Sequence, residues 1–398
     1  MNTWKITDFG AVRDSLEVQT DRIQACINTC HANGGGQVVI DNGVYITGSL
    51  ELFSNITLLL KTGAVLKGSK NLEDYTDFGH STTVKYLYDE EYIRKWHLPP
   101  YYFHALISAE NGENIAVIAE PGAVIDGQDV FDANGEEKFR GPMGMAFSQI
   151  RNLRLAGYTM QNSSNWSHVI DGCENVRLEN VTIAAGHDGF NLHHSTHIEV
   201  TDCRFETGDD CLAGYDLQDL SVRHCYLNTA CNGMRIGGKD LKFTDCIFAG
   251  PGHYPHLSEG TYYTHAVFKY YAVLPDVYRS EGDGILFENC MIKGADRFVL
   301  YDHDRTELMH DGTPLRSLTF ENIMLADIAH TSVFKGGSEK SALTLKNMII
   351  DYTAEEAFLE VDDAVVLTLE NVFFVHPVKI RLNDSTVIEL ESTVNAVL

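Results

Sequence analysis

Positive charge is scarce in this sequence of 398 residues. It holds 30 lysines and arginines against 56 aspartates and glutamates, which gives a formal net charge of −26. Proteins that bind nucleic acid need basic surface to neutralise phosphates, so this composition excludes nucleic acid as a partner. The same charge slows the approach of a polyanionic substrate unless basic side chains line its cleft.

Long apolar runs are also missing, although 44% of the residues are hydrophobic. No segment approaches the roughly 18 apolar residues that span a bilayer, so we expect no membrane partner. The start, Met1–Lys5, lacks the basic and apolar regions of a secretory signal. We therefore expect a cytoplasmic protein in this form, or a secreted or periplasmic one if a signal has been removed. The oligomeric state cannot be read from the sequence.

Cysteine pairs with the spacing of zinc sites are absent as well. The number of cysteines is nine, and an odd number cannot form a complete disulfide framework. Cys26 and Cys30 lie four residues apart in Gln19–His31, where helical periodicity makes them part of an apolar stripe. We expect no cofactor and no metal.

One short phrase recurs along the chain: two alternating apolar residues, a polar residue, Asn or Asp, and then an apolar residue or Cys. Its copies are Val176–Val181, Ile198–Cys203, Leu220–Cys225, Leu241–Cys246, Ile285–Cys290, Leu318–Ile323, Leu343–Met348 and Leu367–Val372. Successive copies are offset by 22, 22, 21, 44, 33, 25 and 24 residues. A period of this length predicts a solenoid, with loop insertions at the longer gaps.

The residues within each repeat favour strands rather than helices. Leucine-rich repeats have a similar period, but their leucine-asparagine consensus and helical segments are missing here. β-branched and aromatic alternation broken by Gly, Asn and Asp predicts short strands and turns. We therefore predict an all-β fold, a single-stranded parallel β-helix with a short N-terminal capping helix at Gln19–His31. The four repeat cysteines should stack inside it: Cys203, Cys225, Cys246 and Cys290.

No change in composition marks a linker, so residues 1–398 are predicted to form one domain. Two stretches, at about 75–104 and 250–279, do not fit the repeat and are predicted loop insertions. Both are rich in aromatic residues. Such side chains stack on sugar rings, but they also form the small cores that hold long loops together, and the sequence leaves both interpretations open.

The densest group of polar residues lies in three successive repeats. Asp188 and Asp210 are 22 residues apart, and Asn232 follows after another 22. Because this equals the local period, the three should stack about 5 Å apart on one face, with Asp209 beside them. Mutual repulsion should raise the pKa of at least one carboxyl, which suits acid/base hydrolysis of a glycosidic bond. A Ca²⁺ site is the competing interpretation, because hard cations prefer clustered carboxylates.

At these residues the sequence resembles glycoside hydrolase family 28, the polygalacturonase-type enzymes. The resemblance covers most of the chain, and its most specific part is Thr207–Cys211 (TGDDC). The other matching segments are Ile6–Val12, Gly34–Leu50, Leu106–Gly127, Asn162–Ile183 and His187–Gly189. It implies a right-handed parallel β-helix and an inverting hydrolase that acts on a pectin-related poly- or oligosaccharide.

The resemblance also implies roles for individual residues. Asp209 would be the general acid, and Asp188 and Asp210 would hold and deprotonate the attacking water. Residues expected to contact the substrate are His168, His187, Asn232, Arg235, His265 and Lys269.

Two departures from the family pattern bear on the reaction. The family has Gly-His-Gly where this chain has Cys231-Asn232-Gly233, and asparagine cannot titrate as histidine does. The Arg-Ile-Lys motif that grips a galacturonate carboxylate has no clear match, although His265–Lys269 occupies roughly its place. Together with the net charge of −26, these departures weaken homogalacturonan as the substrate within the pectin-related class and leave room for another glycan, such as a rhamnogalacturonan-type or substituted oligosaccharide.

Two other functions stay open. A catalytically impaired β-helix that only binds glycan would agree with the absent histidine. A Ca²⁺-dependent polysaccharide lyase would use the acidic cluster to hold its metal, but the column offers no basic residue in the matching position.

Overall fold

The structure, a computed structural model, describes residues 2–77, 82–83, 104–134, 136–383 and 385–398. The aromatic residues of the first predicted insertion, from Tyr86 to Phe103, lie outside the described residues. No helix in the described ranges is long and apolar enough to cross a membrane.

The chain begins with a helix that closes the first coil. The helix, α1, spans Thr20–Ala32, one residue later than predicted at each end, and its buried side chains include Cys26 and Cys30. The predicted apolar stripe is therefore confirmed. Short 3₁₀ helices lie at Ile6–Phe9, Leu72–Asp74, Glu136–Lys138 and Thr306–Leu308.

The remaining elements are strands. The first twelve are β1 (Thr3–Lys5), β2 (Gly36–Ile40), β3 (Gly43–Thr47), β4 (Leu50–Glu51), β5 (Ile56–Leu60), β6 (Ala64–Gly68), β7 (Ala105–Glu110), β8 (Glu113–Ala119), β9 (Val124–Asp126), β10 (Met143–Ser148), β11 (Arg151–Ala156) and β12 (Thr159–Gln161). The next ten are β13 (His168–Asp171), β14 (Glu174–Glu179), β15 (Thr182–Ala185), β16 (Phe190–His193), β17 (Thr196–Thr201), β18 (Arg204–Thr207), β19 (Leu212–Arg223), β20 (Tyr226–Thr229), β21 (Asn232–Thr244) and β22 (Ile247–Ala249). The last are β23 (Thr264–Tyr270), β24 (Ile285–Glu288), β25 (Met291–Asp302), β26 (Ser317–Glu321), β27 (Met324–Ile328), β28 (Ser332–Lys335), β29 (Ser341–Lys346), β30 (Ile349–Asp351), β31 (Leu359–Val361), β32 (Val365–Arg381) and β33 (Val387–Val397).

These strands stack into three parallel faces. The first face contains β13, β16, β19, β21 and β23 in succession, and each strand pairs with the equivalent strand of the next coil. The second face runs through β14 and β17, and the third through β15 and β18. Among the strands named above, the pairings are parallel except for that of β33, which lies antiparallel on β32. The predicted right-handed parallel β-helix is confirmed.

Residues of the same kind stack along the interior. Side chains alternate between the inside and the outside of each strand, and parallel pairing aligns the inward-facing positions of successive coils. The four repeat cysteines are buried, and each thiol contacts a backbone carbonyl of its own turn. Phe243, Phe287 and Phe320 form a second stack, with ring centroids 4.6 and 4.7 Å apart. This gives one continuous core along the whole axis of the solenoid.

The recurrent Asn or Asp lies at a tight turn. Asn180, Asp202, Asp245, Asn289, Asn322, Asn347 and Asn371 all have φ between 52° and 57°. Asparagine and aspartate tolerate this left-handed conformation better than other residues with a Cβ, which explains their recurrence. The exposed amides also pair along the column, as from Asn322 to the Oδ1 atom of Asn289 at 3.0 Å.

The second predicted insertion is divided in the structure. Strand β23 is a regular member of the first face, and it pairs with both β21 and β25. The irregular stretches are therefore the two loops on either side, residues 250–263 and 271–284. Both loops lie near the turns that lead into the first face, where Asp188, Asp210 and Asn232 form a polar column.

Candidate active site

The polar column lies at the turns between the third and first faces. Phe190, Leu212 and Met234 are direct partners in three successive coils, each 22 residues from the last. Asp188, Asp210 and Asn232 each lie two residues before one of these partners, so their turns stack. The register derived from the repeat is therefore present in the structure.

Hydrogen bonds join the column from coil to coil. The backbone N–H of Asp210 donates to the Oδ1 atom of Asp188 at 3.2 Å. The side-chain amide of Asn232 donates to the Oδ1 atom of Asp210 at 2.7 Å, and that of Asn191 donates to the Oδ2 atom of Asp188 at 2.6 Å. One oxygen from each of Asp188, Asp209 and Asp210 lies within 4.8 Å of the others.

The three carboxyls differ in their pKa, because their burial and the charges around them differ. Asp188 and Asp210 are 4% and 1% exposed. Burial raises the pKa of Asp188 well above its usual value, and the charges of Asp209 and Asp210 add to the rise. Burial and the charge of Asp209 raise the pKa of Asp210 in the same way. The predicted rise is present, but burial contributes more to it than repulsion does.

Asp209 differs because a cation lies against it. Its Oδ2 atom accepts a hydrogen bond from the Nη2 atom of Arg140 at 2.9 Å. Burial alone would raise the pKa of Asp209, but the charge of Arg140 outweighs burial and lowers it. Asp209 is therefore the ionised member of the trio.

Arg140 itself is held on three sides. Besides Asp209, it contacts the Oδ1 atom of Asn165 at 3.2 Å and the Oε2 atom of Glu137 at 3.3 Å. It comes from an irregular segment 69 residues before Asp209. The repeat gives no information about such a segment, so the sequence reasoning missed this residue.

Two basic side chains lie together on the groove side of the first face. Arg235 of β21 and Lys269 of β23 are direct partners, and the Nη1 atom of Arg235 lies 3.9 Å from the Oδ2 atom of Asp210. The guanidinium of Arg235 also lies 3.9 Å above the ring of Tyr271. Burial, together with the charge of Arg235, lowers the pKa of Lys269 to about 8.

The loop 250–263 brings a histidine to the trio that the sequence did not indicate. The Nε2 atom of His256 lies 3.9 Å from the Oδ1 atom of Asp209. His265, at the start of β23, stacks on His256 with ring centroids 6.2 Å apart. Its Nδ1 atom lies 3.9 Å from the Sγ atom of Cys231.

Two of the expected contact residues lie away from the groove. His168 is 0% exposed, because it is in register with Met145 and Phe190, which point into the core. Its ring hydrogen-bonds with the hydroxyl of Tyr158 at 2.9 Å and the carbonyl of Gly189 at 3.1 Å, and burial lowers its pKa to about 4. The expectation that His168 contacts the substrate is corrected by this placement.

His187 supports the site from behind. It is 2% exposed and lies edge-on to Phe131, with ring centroids 5.9 Å apart. Burial lowers the pKa of His187 to about 3, so the ring is neutral. Because His187 is buried, a substrate would not reach it in this structure. The other expected contact residues lie around the carboxyl trio: Asn232, Arg235, His265 and Lys269.

A family model covers the segment that holds the three carboxyls, Arg140 and Asn232. Residues 100–242 match the model of glycosyl hydrolases family 28. The predicted resemblance to this family is confirmed.

Individual proteins that match the chain also have the names of polygalacturonases. A Vitis vinifera protein with the name "Probable polygalacturonase" is 26% identical over 220 residues, which cover 52% of this chain and 43% of that protein. The match therefore spans less than half the length of this relative.

Solved structures share the fold. A polygalacturonase from Erwinia carotovora ssp. carotovora superposes with a TM-score of 0.65 at 17% identity, covering 92% of this chain and 96% of that one. A family 28 exopolygalacturonase from Yersinia enterocolitica gives a TM-score of 0.63 at 17% identity, covering 94% and 77%. At this identity the similarity concerns the β-helix alone.

Proposed function

We propose that this protein is a glycoside hydrolase that cleaves a pectin-related poly- or oligosaccharide with the stacked carboxyls Asp188, Asp209 and Asp210. The observation that carries the proposal is their convergence, with one oxygen of each within 4.8 Å of the others, inside the segment that matches family 28. Hydrolysis of a glycosidic bond needs one carboxyl to protonate the leaving oxygen and another to activate water. This trio supplies both.

The roles follow from position and from the neighbours of each carboxyl. By resemblance, Asp209 protonates the leaving oxygen, while Asp188 and Asp210 hold the water. The ion pair with Arg140 favours the ionised form of Asp209 in the free protein. We infer that Asp209 must gain a proton before it can act as the acid. Asp188, whose pKa is raised, can donate that proton and is then left ionised beside the attacking water; alternatively, a bound sugar draws Arg140 away and Asp209 takes a proton from solvent.

Asn232 holds one carboxyl in place instead of titrating. Its amide and backbone N–H both donate to the Oδ1 atom of Asp210, at 2.7 and 3.2 Å. These bonds leave the other oxygen of Asp210 for a water molecule. We infer that the replacement of the family histidine keeps the geometry of the column but removes a titrating group from it.

The neighbouring cations support an acidic sugar as substrate. Arg235 and Lys269 are adjacent on β21 and β23, and burial strengthens their interaction with an anion. A uronate carboxylate between them would offset two half-buried positive charges. The local pair also counters the long-range repulsion that the net charge of −26 exerts on such a substrate.

The stereochemical outcome is part of the proposal. Inverting glycosidases usually hold their two carboxyls about 6.5–9.5 Å apart, so that a water molecule fits between the general base and the sugar. The closest oxygens here lie within 4.8 Å. Inversion therefore rests on the resemblance to family 28, and the anomer released by the enzyme, read by NMR before mutarotation, would decide it.

The test compares Asp209→Asn with the unchanged protein on defined galacturonan, rhamnogalacturonan-type and neutral oligosaccharides, with products identified by mass. We expect loss of the acid to lower the rate of release at least about 100-fold. Asp219→Asn is the matched control, because this aspartate is exposed and pairs with His197 at the surface, at 2.7 Å. Full activity in Asp209→Asn would reject the proposal.

Two other results would point to the alternative functions. Binding of an oligosaccharide with no product from the unchanged protein would indicate a glycan-binding β-helix. Unsaturated products that absorb in the ultraviolet and disappear with a chelator would indicate a lyase.

A further inference from the structure

A second group of side chains meets the carboxyl trio at Asp209. One donor atom each from Asp209, Cys231 and His256 lies within 4.8 Å of the other two. They come from two successive turns of the column and from the loop 250–263. Carboxylate, thiolate and imidazole together are the ligands of a borderline or soft divalent metal and not of Ca²⁺, which prefers oxygen.

A fourth donor lies beside this group. The Nδ1 atom of His265 is 3.9 Å from the Sγ atom of Cys231, and the Nε2 atom of His256 is 3.9 Å from the Oδ1 atom of Asp209. Ligand atoms around a tetrahedral zinc ion lie roughly 3.4–3.6 Å apart, given the usual Zn–N and Zn–S bond lengths. Each pair is therefore only a few tenths of an ångström wider than a zinc ion requires.

The outer nitrogens of both histidines are already occupied. The Nδ1 atom of His256 lies 3.1 Å from the hydroxyl of Ser258, which leaves its Nε2 atom toward Asp209. The Nε2 atom of His265 lies 3.3 Å from the carboxylate of Glu259, which leaves its Nδ1 atom toward Cys231. Metal-binding histidines have this arrangement, in which a second group orients the ring and fixes the tautomer.

We propose that Asp209, Cys231 and His256 form a binding site for a divalent transition metal of the zinc class, with His265, beside Cys231, as its fourth ligand after a small movement of the ring. The carboxylate and the thiolate supply two negative charges, which balance the charge of the ion. Arg140 contacts the Oδ2 atom of Asp209, so the Oδ1 atom remains on the side of His256. The loop 250–263 would then be tied to the column through the metal.

Occupancy would also affect hydrolysis, a consequence that rests on the proposed function. The metal would hold Asp209, the residue proposed to protonate the leaving oxygen. We therefore expect zinc to inhibit the enzyme reversibly and a chelator to restore its activity.

The test measures metal binding directly on the full chain, after treatment with a chelator. Calorimetry with Zn²⁺ should give one site per chain, and Co²⁺ should give the near-ultraviolet charge-transfer band of a thiolate ligand. Cys231→Ser and His256→Gln should each weaken zinc binding at least tenfold, and Cys231→Ser should remove the band. His253→Gln is the matched control, because this exposed histidine of the same loop pairs with Glu206.

Unaltered circular dichroism and melting temperature would show that the variants are folded. The absence of stoichiometric zinc binding, or binding that Cys231→Ser leaves unchanged, would overturn the proposal. A protein that binds zinc through Cys231 but cleaves none of the oligosaccharides would support the metal site while the proposed hydrolase function fails. A chain that hydrolyses glycan but binds no zinc would reject the metal site alone.

Discussion

An almost enclosed carboxylate needs a counter-charge, and Arg140 supplies it to Asp209. The side chains of the pair are 9% and 14% exposed, so little water can replace the lost partner if one is removed. The nearby carboxyls Asp188 and Asp210 would repel an uncompensated Asp209 further. Arg140 therefore affects the stability of the site as well as its chemistry.

Replacing Arg140 tests this dependence. Arg140→Met should lower the free energy of unfolding by about 3–5 kcal/mol, because it leaves a buried charge without its partner. Urea unfolding measures the change. Arg154→Met is the control, since Arg154 pairs with Glu179 at the surface and should contribute less than about 1 kcal/mol. Equal losses in the two variants would contradict the assignment of Arg140 as a buried counter-ion.

Lys269 gives a prediction about substrate choice. Lys269→Met should raise KM for a uronate oligosaccharide about 10- to 100-fold, the range expected for one hydrogen bond to a charged group. KM for the methyl-esterified oligosaccharide should change little, because an ester carries no charge. Steady-state kinetics on both substrates measure this, with the exposed Lys242→Met as control. A similar rise for both substrates would argue against recognition of a carboxylate by Lys269.

At the scale of elements, the 22-residue repeat around the site determined how much of the site could be predicted from the sequence. The pairings of β16, β19 and β21 have no insertion between them, so the stacking of Asp188, Asp210 and Asn232 followed from counting. The period says nothing about irregular segments, which is why Arg140 and His256 were not predicted.

His168 illustrates a different limit. The sequence predicts that His168 contacts the substrate, but a shift of one residue in the alternation of a strand exchanges its core side and its groove side. The register of β13 with β10 and β16 places His168 on the core side, and a single repeat does not reveal that register.

The loop 271–284 is held to the first face by a charged histidine. His194, in the turn after β16, contacts Asp216 at 2.7 Å and Asp276 at 3.1 Å. Burial alone would lower the pKa of His194, but the two carboxylates outweigh burial and raise it to about 9. Arg279 adds a further contact from this loop to Asp216, at 3.1 Å.

This clamp predicts how stability depends on pH. A folded pKa above the unfolded value of about 6.5 stabilises the protein fully below pH 6.5, and the contribution is lost as pH rises through about 9. The difference in unfolding free energy between the unchanged protein and His194→Gln should shrink by on the order of 2–3 kcal/mol over that window. Denaturant unfolding from pH 6 to pH 9.5 measures it, and a constant difference would contradict the clamp.

At the scale of the whole molecule, stability accumulates coil by coil along one axis. Each coil contacts mainly its neighbours, so the core behaves as a stack of nearly equal layers. The phenylalanine stack of Phe243, Phe287 and Phe320 is such a sequence of layers, and Phe287 is its middle member.

Removing the middle ring tests the continuity of this core. Phe287→Ala should lower the free energy of unfolding by about 3–5 kcal/mol, because it leaves a cavity between two rings. Phe373→Ala is the control, since that ring is 44% exposed and should cost far less. Thermal and urea unfolding measure both variants. A small loss in Phe287→Ala would mean that the neighbouring coils close the gap.

Strand β33 changes the way one end of the solenoid can interact. It covers β32 antiparallel from Thr368 to Arg381, whereas the preceding coils in the described chain add in parallel. Because β33 already occupies this edge, an identical coil of a second molecule cannot pair with β32 there and continue the parallel stack.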